Sequence, residues 1–413
     1  MKTLFVHQNG LGQFRYAASE LARNPDNQVV SLSINPPKAD APGVNIVRYK
    51  AHRNLTKDIP SHIGDFEAKI IRAESCANAA FALKQKGFNP DVIVAHPAWG
   101  EHMFLKDVWP DARLLVFMEF YYRNHGFDLN FDAEFPEKSP LSGAKLRIKN
   151  ANLLTALDIM DWGYSPTNWQ RSALPEVYHP RISVIFDGID TGYITPDKEA
   201  VFNLPDGRQV KAGDEVLTFV NRNLEPYRGF HVLMRALPAI QKARPDAITL
   251  IVGDDGVSYG AKPSDAPSWK ERMLREVGDK LDMNRIVFLG QIPYGDYRQL
   301  LRVSRVHAYL TYPFVLSWSM LEAMAAECLV VGSTTQPVTE VMTPGKNGLG
   351  VSFFDIDGWV KTLTRALAKP EDYQDLRKAA RTHIIKTYDL KTICLPKQMK
   401  LLNALAGRRT PGV

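Results

Sequence analysis

Cysteine is scarce: Cys76, Cys328 and Cys394 are the only three, odd in number, scattered and without metal-ligand spacing. A disulfide scaffold and a thiolate metal site are not expected, and a reducing compartment is. Long apolar runs are missing too. The opening MKTLFVHQN is too short an apolar stretch for a signal peptide, and nowhere do about 18 apolar residues follow one another. The expectation is a cytoplasmic protein. There is no H-E-x-x-H, no C-x-x-C, no dinucleotide G-x-G-x-x-G and no Walker lysine, so common zinc and phosphate-loop chemistries lack support. Low-complexity tracts and repeats are also absent.

What is present is ordinary for a soluble enzyme: 413 residues, 45% apolar and 23% charged. That length exceeds what one hydrophobic core usually serves, so two domains are expected. The 51 basic and 45 acidic residues leave a net charge of +6, a mild excess rather than a nucleic-acid signature, and no basic groove is interleaved with aromatics. The charge is uneven, however. Lys391 to Val413 has five Lys or Arg and no acid, and Lys145, Arg147 and Lys149 cluster on one segment. Such patches are solvated faces, or suit anionic lipid or a phosphate-bearing acceptor.

Along the chain, apolar runs alternate with amphipathic stretches. KTLFVH reads as a buried strand, followed by a loop with Gly10 and Gly12 and then a helix. Strands follow at VVSLSI and VNIVRY, and a long helix at 65–86. NPDVIVAHPAWGE places His96 at a strand's carboxyl end, where open α/β sheets bind ligands, although a hydrogen-bonded loop histidine reads equally well. A strand at 113–118 ends in Glu119 and three aromatics, which line a pocket or form a core edge. A helix over 140–158 has its stripe at Ala144, Ile148, Ala151, Leu154 and Leu157. Alternation throughout implies parallel, doubly wound sheets. The Gly-, Pro- and Asp-rich residues 191–215 read as a linker, giving domains at 1–190 and 216–390 and a basic tail at 391–413 that can pack back on the first domain.

In the second half, the strand EVLTFVNRN leads through Arg222 and Arg228 into a helix whose stripe is Phe230, Leu233, Met234 and Leu237. Two guanidiniums beside a helix N-terminus make a good diphosphate clamp. Further on, VHAYLTY reads as a strand stopped by Pro313, Ser317 as a helix cap, and Met320, Leu321 and Met324 as one buried stripe. Backbone N–H groups at Ser317, Trp318 and Ser319 are expected to face a phosphate, with Glu322 off the stripe, binding a ribose diol or simply solvated. Asp254–Asp255 and the Asp355, Asp357 pair sit at turns, where Asp caps helices, so no metal site is expected.

In order and together, HQNGLGQF, DVIVAHPAWGE, EFYYR, SPTNWQRS, VIFDGIDT, NRNLEPYRGF, IVGDDGVSYG, FLGQIPY and YPFVLSWSMLEAMA resemble a family 4 retaining glycosyltransferase, of a subgroup often found near bacterial surface-polysaccharide genes. The resemblance covers nearly the whole chain. It implies the α/β GT-B fold, two facing Rossmann-like domains with an interdomain cleft and the donor in the second. It also implies transfer of a hexose from a nucleoside diphosphate sugar, UDP- or GDP-linked, to a saccharide or lipid-linked acceptor, with no cofactor and no metal. Arg222 and Arg228 match the pair gripping the diphosphate, the second being Lys in the family. Glu322 matches the ribose-binding Glu of E-x7-E. Gly10, Gly12, Gly290 and Ser317 to Ser319 join them as donor-binding groups. The first Glu of that motif falls at Phe314, which leaves His96 and Glu119 as the polar groups facing the sugar. The alternatives are a transferase acting on nucleic acid or a small molecule, a sugar-nucleotide epimerase, and a non-catalytic nucleotide-sugar binder. The basic tail adds peripheral contact at the inner face of the membrane.

Overall fold

The alternating runs resolve into two units, residues 1–187 with 391–413 and residues 188–390, in the computed structural model, which describes residues 1–37, 39 and 41–412. The first unit contains β1 (Lys2–Val6), β2 (Gln28–Ser33), β3 (Asn45–Arg48), β4 (Val92–Ala95), β5 (Arg113–Phe117), β6 (Trp162–Ser165) and β7 (Ile182–Val184). Its helices are α1 (Arg15–Ala22), α2 (Ser61–Gln85), α3 (Leu105–Val108), α4 (Ser142–Ile159) and α5 (Asn168–Ser172). All strand pairs are parallel, in the order β3-β2-β1-β4-β5-β6-β7. Winding reverses between β1 and β4, where Thr3 to Val6 pair with Val92 to Ala95, so their carboxyl ends flank a crevice.

The second unit carries a short antiparallel hairpin, β8 (Val201–Asn203) and β9 (Gln209–Lys211), and a second parallel sheet. That sheet comprises β10 (Val216–Asn223), β11 (Ile248–Asp254), β12 (Ile286–Gly290), β13 (Val306–Tyr309), β14 (Leu329–Ser333) and β15 (Leu349–Val351). The helices are α6 (Phe230–Ala243), α7 (Trp269–Val277), α8 (Tyr294–Val303), α9 (Trp318–Ala325), α10 (Gln336–Val341), α11 (Ile356–Ala368) and α12 (Gln374–Tyr388). Sheet order is β12-β11-β10-β13-β14-β15, and winding reverses between β10 and β13. Each unit is therefore a doubly wound, Rossmann-like layer with its own switch point.

The chain enters and leaves the second unit at one place. Ile189 N donates to Tyr388 O and Leu390 N to Ile189 O, both at 2.8 Å, and Thr191 and Asp389 share a 2.5 Å side-chain hydrogen bond. Beyond a π-helical turn over Leu390–Cys394, α13 (Leu395–Ala406) returns to the first unit, burying Leu401, Leu402 and Leu405 against Phe5, Phe14 and Tyr164. Residues 391–412 are thus chiefly a packed helix, and Val413, the last residue of the expected tail, lies outside the described residues.

Two expectations need correction. Residues 191–215 are not a linker: they belong to the second unit, carry the β8–β9 hairpin, and are tied to α12 by Arg381, which donates to Ile194 O (3.0 Å) and Thr191 O (3.2 Å). The buried face of α4 is Asn150, Asn152, Leu153, Ala156 and Leu157, whereas Ile148 and Leu154 are exposed. Polar side chains enter that face by hydrogen bonding to backbone, although Asn152 Oδ1 has no partner among the described residues. Asn150 exchanges two hydrogen bonds with the Tyr122 backbone, and Asn152 donates to Pro97 O. Among the described residues, no helix is long and apolar enough to cross a membrane.

Candidate active site

At the first unit's switch point, His7 follows β1 and His96 follows β4, both buried. His7 Nδ1 accepts the Asn9 N–H at 2.9 Å and His96 Nδ1 accepts the Ala98 N–H at 3.3 Å. In the neutral tautomer each ring therefore carries its hydrogen on Nε2. Burial, helped by the neighbouring His96, pushes His7 down to about 3, so His7 is neutral. His96 Nε2 stands 3.5 Å from Glu119 Oε2, and the His96 ring packs on Trp99 at 4.6 Å. Glu119 is held by SPTNWQRS and the glycine loop together: Gln170 Nε2 donates to its carbonyl at 2.6 Å, and Gln13 Nε2 to its carboxylate at 3.2 Å. Gly12, at φ +48°, is required where it stands, because a Cβ there would overlap the His7 imidazole. Gly12, His96 and Glu119 thus come together, whereas Gly10, at φ +66°, packs against Pro37. The aromatics beyond Glu119 are mostly core edge: Phe120 and Tyr121 are buried.

In the second unit, the loop after β10 and the segment after β13 meet at Arg228. Its guanidinium donates to Thr311 Oγ1 (2.7 Å) and Val315 O (2.9 Å), and it is only 4% exposed. The rings of Tyr259 and Phe314 lie 5.1 and 5.8 Å from it. Arg222, by contrast, is exposed and has no side-chain hydrogen bond or ion pair among the described residues. The expected clamp is therefore asymmetric, one arginine locked into the crevice and one open to solvent. Gly290, at φ +62° at the end of β12, has open space where a Cβ would be.

The start of α9 differs from expectation in two respects. Ser317 N donates to the Tyr309 hydroxyl (2.8 Å) and Ser319 N to the Ser317 hydroxyl (3.3 Å), so these backbone groups are already engaged. Trp318 is exposed. Glu322 is not solvated but 7% exposed, receiving the Tyr294 hydroxyl on Oε1 at 2.6 Å and the Tyr297 hydroxyl on Oε2 at 2.8 Å. Burial raises its pKa, against the pull of both tyrosines.

Sequence signals did not single out Glu225, Tyr259, Tyr294 or Tyr297. Glu225 is fully buried, and its carboxylate accepts the backbone N–H groups of Ser258 (3.0 Å), Tyr259 (3.2 Å) and Gly260 (2.9 Å), fixing the loop that carries Tyr259. Only its place in LEPYRG, three residues before Arg228, hinted at it. Gly256 to Gly260 spells G-x-S-x-G, yet it lies in an irregular loop without the strand-turn-helix of a nucleophile elbow, and Ser258 Oγ is bonded by Asn223 at 2.6 Å. Asp355 caps α11 through Gly358 N (2.9 Å), and Asp254 accepts from Gln291.

Two doubly wound units, each with a polar cluster at its switch point, define the GT-B class. Residues 25–194 match the model of the Glycosyl transferase family 4 group and residues 204–383 that of Glycosyl transferases group 1, so both units are of glycosyltransferase type. A GDP-mannose-dependent monoacylated alpha-(1-6)-phosphatidylinositol monomannoside mannosyltransferase of Corynebacterium glutamicum is 28% identical over 50% of this chain and 52% of its own length. The glycogen synthase of Mycobacterium tuberculosis is 24% identical over 49% and 46%. The chain thus spans about half the length of the curated relatives it matches. Among solved structures, sucrose-phosphate synthase from Thermosynechococcus elongatus aligns with a TM-score of 0.73 at 17% identity, over 98% of this chain and 100% of the other. HepE of Anabaena, in complex with UDP and glucose, aligns with a TM-score of 0.67 at 15% identity, over 98% and 100%.

Proposed function

We propose that this protein is a retaining, metal-independent hexosyltransferase that uses a nucleoside diphosphate sugar and a saccharide or lipid-linked acceptor, in surface-polysaccharide or glycoconjugate synthesis. One observation carries the reading. Arg228 and Glu322 lie beside the switch point of the sheet within the group 1 match, with Arg222 at the carboxyl end of β10. The names of the relatives support a UDP- or GDP-linked donor. In the proposed reaction the bond from the anomeric carbon to the diphosphate oxygen breaks while the acceptor oxygen bonds on the same face. The acceptor proton passes to the departing phosphate. Arg222 and Arg228 offset the charge developing on the diphosphate, Glu322 holds the ribose, and His96 and Glu119 contact sugar or acceptor. A cytoplasmic location, with peripheral contact at the anionic inner face of the membrane, is proposed with it. Lys145 and Lys149 give that contact limited help, since they already face Glu137 and the Tyr122 ring.

A non-catalytic binder is the second reading, favoured by Phe314, which is buried between Tyr227 and Tyr259 where the family has a Glu. A thermal-shift screen with UDP-, GDP-, ADP- and dTDP-sugars tests the donor site. A ligand at 100 times its dissociation constant adds about 2.7 kcal/mol to stability. Donor stabilisation followed by sugar transfer to a glycan or polyprenyl-linked acceptor supports the transferase. Stabilisation without transfer or hydrolysis leaves the binder, and no stabilisation by any of the four sinks both.

A further inference from the structure

Among the described residues no cation is paired with the buried Glu322: its two oxygens take hydroxyl hydrogens from Tyr294 and Tyr297. A buried carboxylate lacking donors is costly, so a protein that keeps one for a ligand must satisfy it when the ligand is away. Two hydroxyl groups, one on each oxygen, are also what a vicinal ribose diol presents. The two tyrosines differ in freedom. Tyr297 is buried in the body of α8, whereas Tyr294, the first residue of that helix, is 50% exposed. Its ring lies flat against the exposed ring of Tyr193, with centroids 5.7 Å apart and planes 11° apart, and Gly295 beside it has open space around it. With Glu322 only 7% exposed and the half-exposed Tyr294 bonded to Oε1, displacement of the Tyr294 hydroxyl is a direct way for a ligand hydroxyl to reach that oxygen.

We infer that Tyr294 is a placeholder for a ribose hydroxyl: its phenol occupies Glu322 in the donor-free protein and yields to the nucleotide, while Tyr297 stays and fixes the carboxylate. Tyr193 provides the face on which the Tyr294 ring rests. The inference depends on the proposed ribose role of Glu322, and its consequence is specific. Tyr294 competes with the nucleotide, so removing its hydroxyl strengthens binding, the reverse of what truncating a contact residue does.

The test is calorimetric binding of UDP, GDP, ADP and dTDP to the full chain, continued with the tightest ribonucleotide and its 2′,3′-dideoxy counterpart. Tyr294→Phe is expected to tighten the ribonucleotide about tenfold, on the scale of one hydrogen bond to a charged group. It should leave the dideoxy form unchanged, and Tyr297→Phe should tighten neither. If Tyr294→Phe leaves binding unchanged or weaker while Glu322→Ala weakens it, the placeholder is wrong and the ribose reading stands. Equal tightening of both nucleotides also overturns it, because the competition is then steric rather than for the diol. If Glu322→Ala changes no nucleotide's affinity, or none of the four binds, the ribose reading fails and the placeholder with it.

Discussion

Arg222 and Arg228 are one residue type in two physical situations. Arg228 is enclosed, bonded to Thr311 and the Val315 carbonyl, so Arg228→Ala leaves a void and stranded acceptors. Thermal and chemical melts should show a loss of about 2–4 kcal/mol. Arg222 is open to solvent, and Arg222→Ala should leave stability within about 0.5 kcal/mol while turnover drops at least about tenfold. Wild-type turnover in that variant removes it from the diphosphate clamp. Glu322→Ala should weaken nucleotide binding by about 1–3 kcal/mol in a titration. In the sequence, Arg222, Arg228 and Glu322 were put forward by the family resemblance and by their places beside helix starts. The sequence could not show that one arginine is buried or that Glu322 is already satisfied, because Thr311, Tyr294 and Tyr297 reach them across turns of unspecified geometry. The tyrosines in FLGQIPYGDY read only as a helix start.

At the scale of elements, alternation of apolar runs and stripes found the strands of both sheets and most of the helices, since parallel strands buried on two faces read as continuous apolar runs, but it missed α3, α10 and α13. Where burial is polar, that signal fails. The α4 stripe was misplaced because the Asn150 and Asn152 amides enter the core by donating to backbone carbonyls, which apolar counting cannot see. The hairpin within 201–211 was hidden for a related reason: turn-forming residues dominate it, and its strands are three residues each. The loop after β11 is the least legible element, since its shape depends on Glu225, more than thirty residues earlier. Glu225→Ala should cost about 2–4 kcal/mol and speed hydrogen exchange at Ser258, Tyr259 and Gly260. Retained protection at those three amides would show that something else fixes the loop.

Across the whole molecule, several buried histidines couple stability to pH. Burial holds His7 and His307 down to about 3 and His102 to about 4, against an ordinary value of about 6.5. Between those limits the unfolded chain binds protons that the folded chain refuses, so stability falls as pH drops below about 6.5, by up to about 1.4 kcal/mol per pH unit for each histidine. Glu101 and Glu322, raised by burial, act in the opposite sense, but they are two against four histidines, since partial burial lowers His383 as well. Urea midpoints should decline from pH 7 to pH 5. A flat or rising profile would mean that these rings are open to protonation.

The paired crossing at Ile189, Tyr388 and Leu390 has a further consequence, one for synthesis. Topologically the second unit is a guest inserted into a host, with its two ends stitched side by side, so every residue it needs has been translated by Leu390. The host has not finished at that point. Phe5, Phe14 and Tyr164, laid down early, stay uncovered until Leu401, Leu402 and Leu405 leave the ribosome. The fragment 188–390 should therefore fold by itself. A chain stopped after Leu390 should carry a native guest on a host that binds hydrophobic dyes, and the half that begins first is the half that folds last.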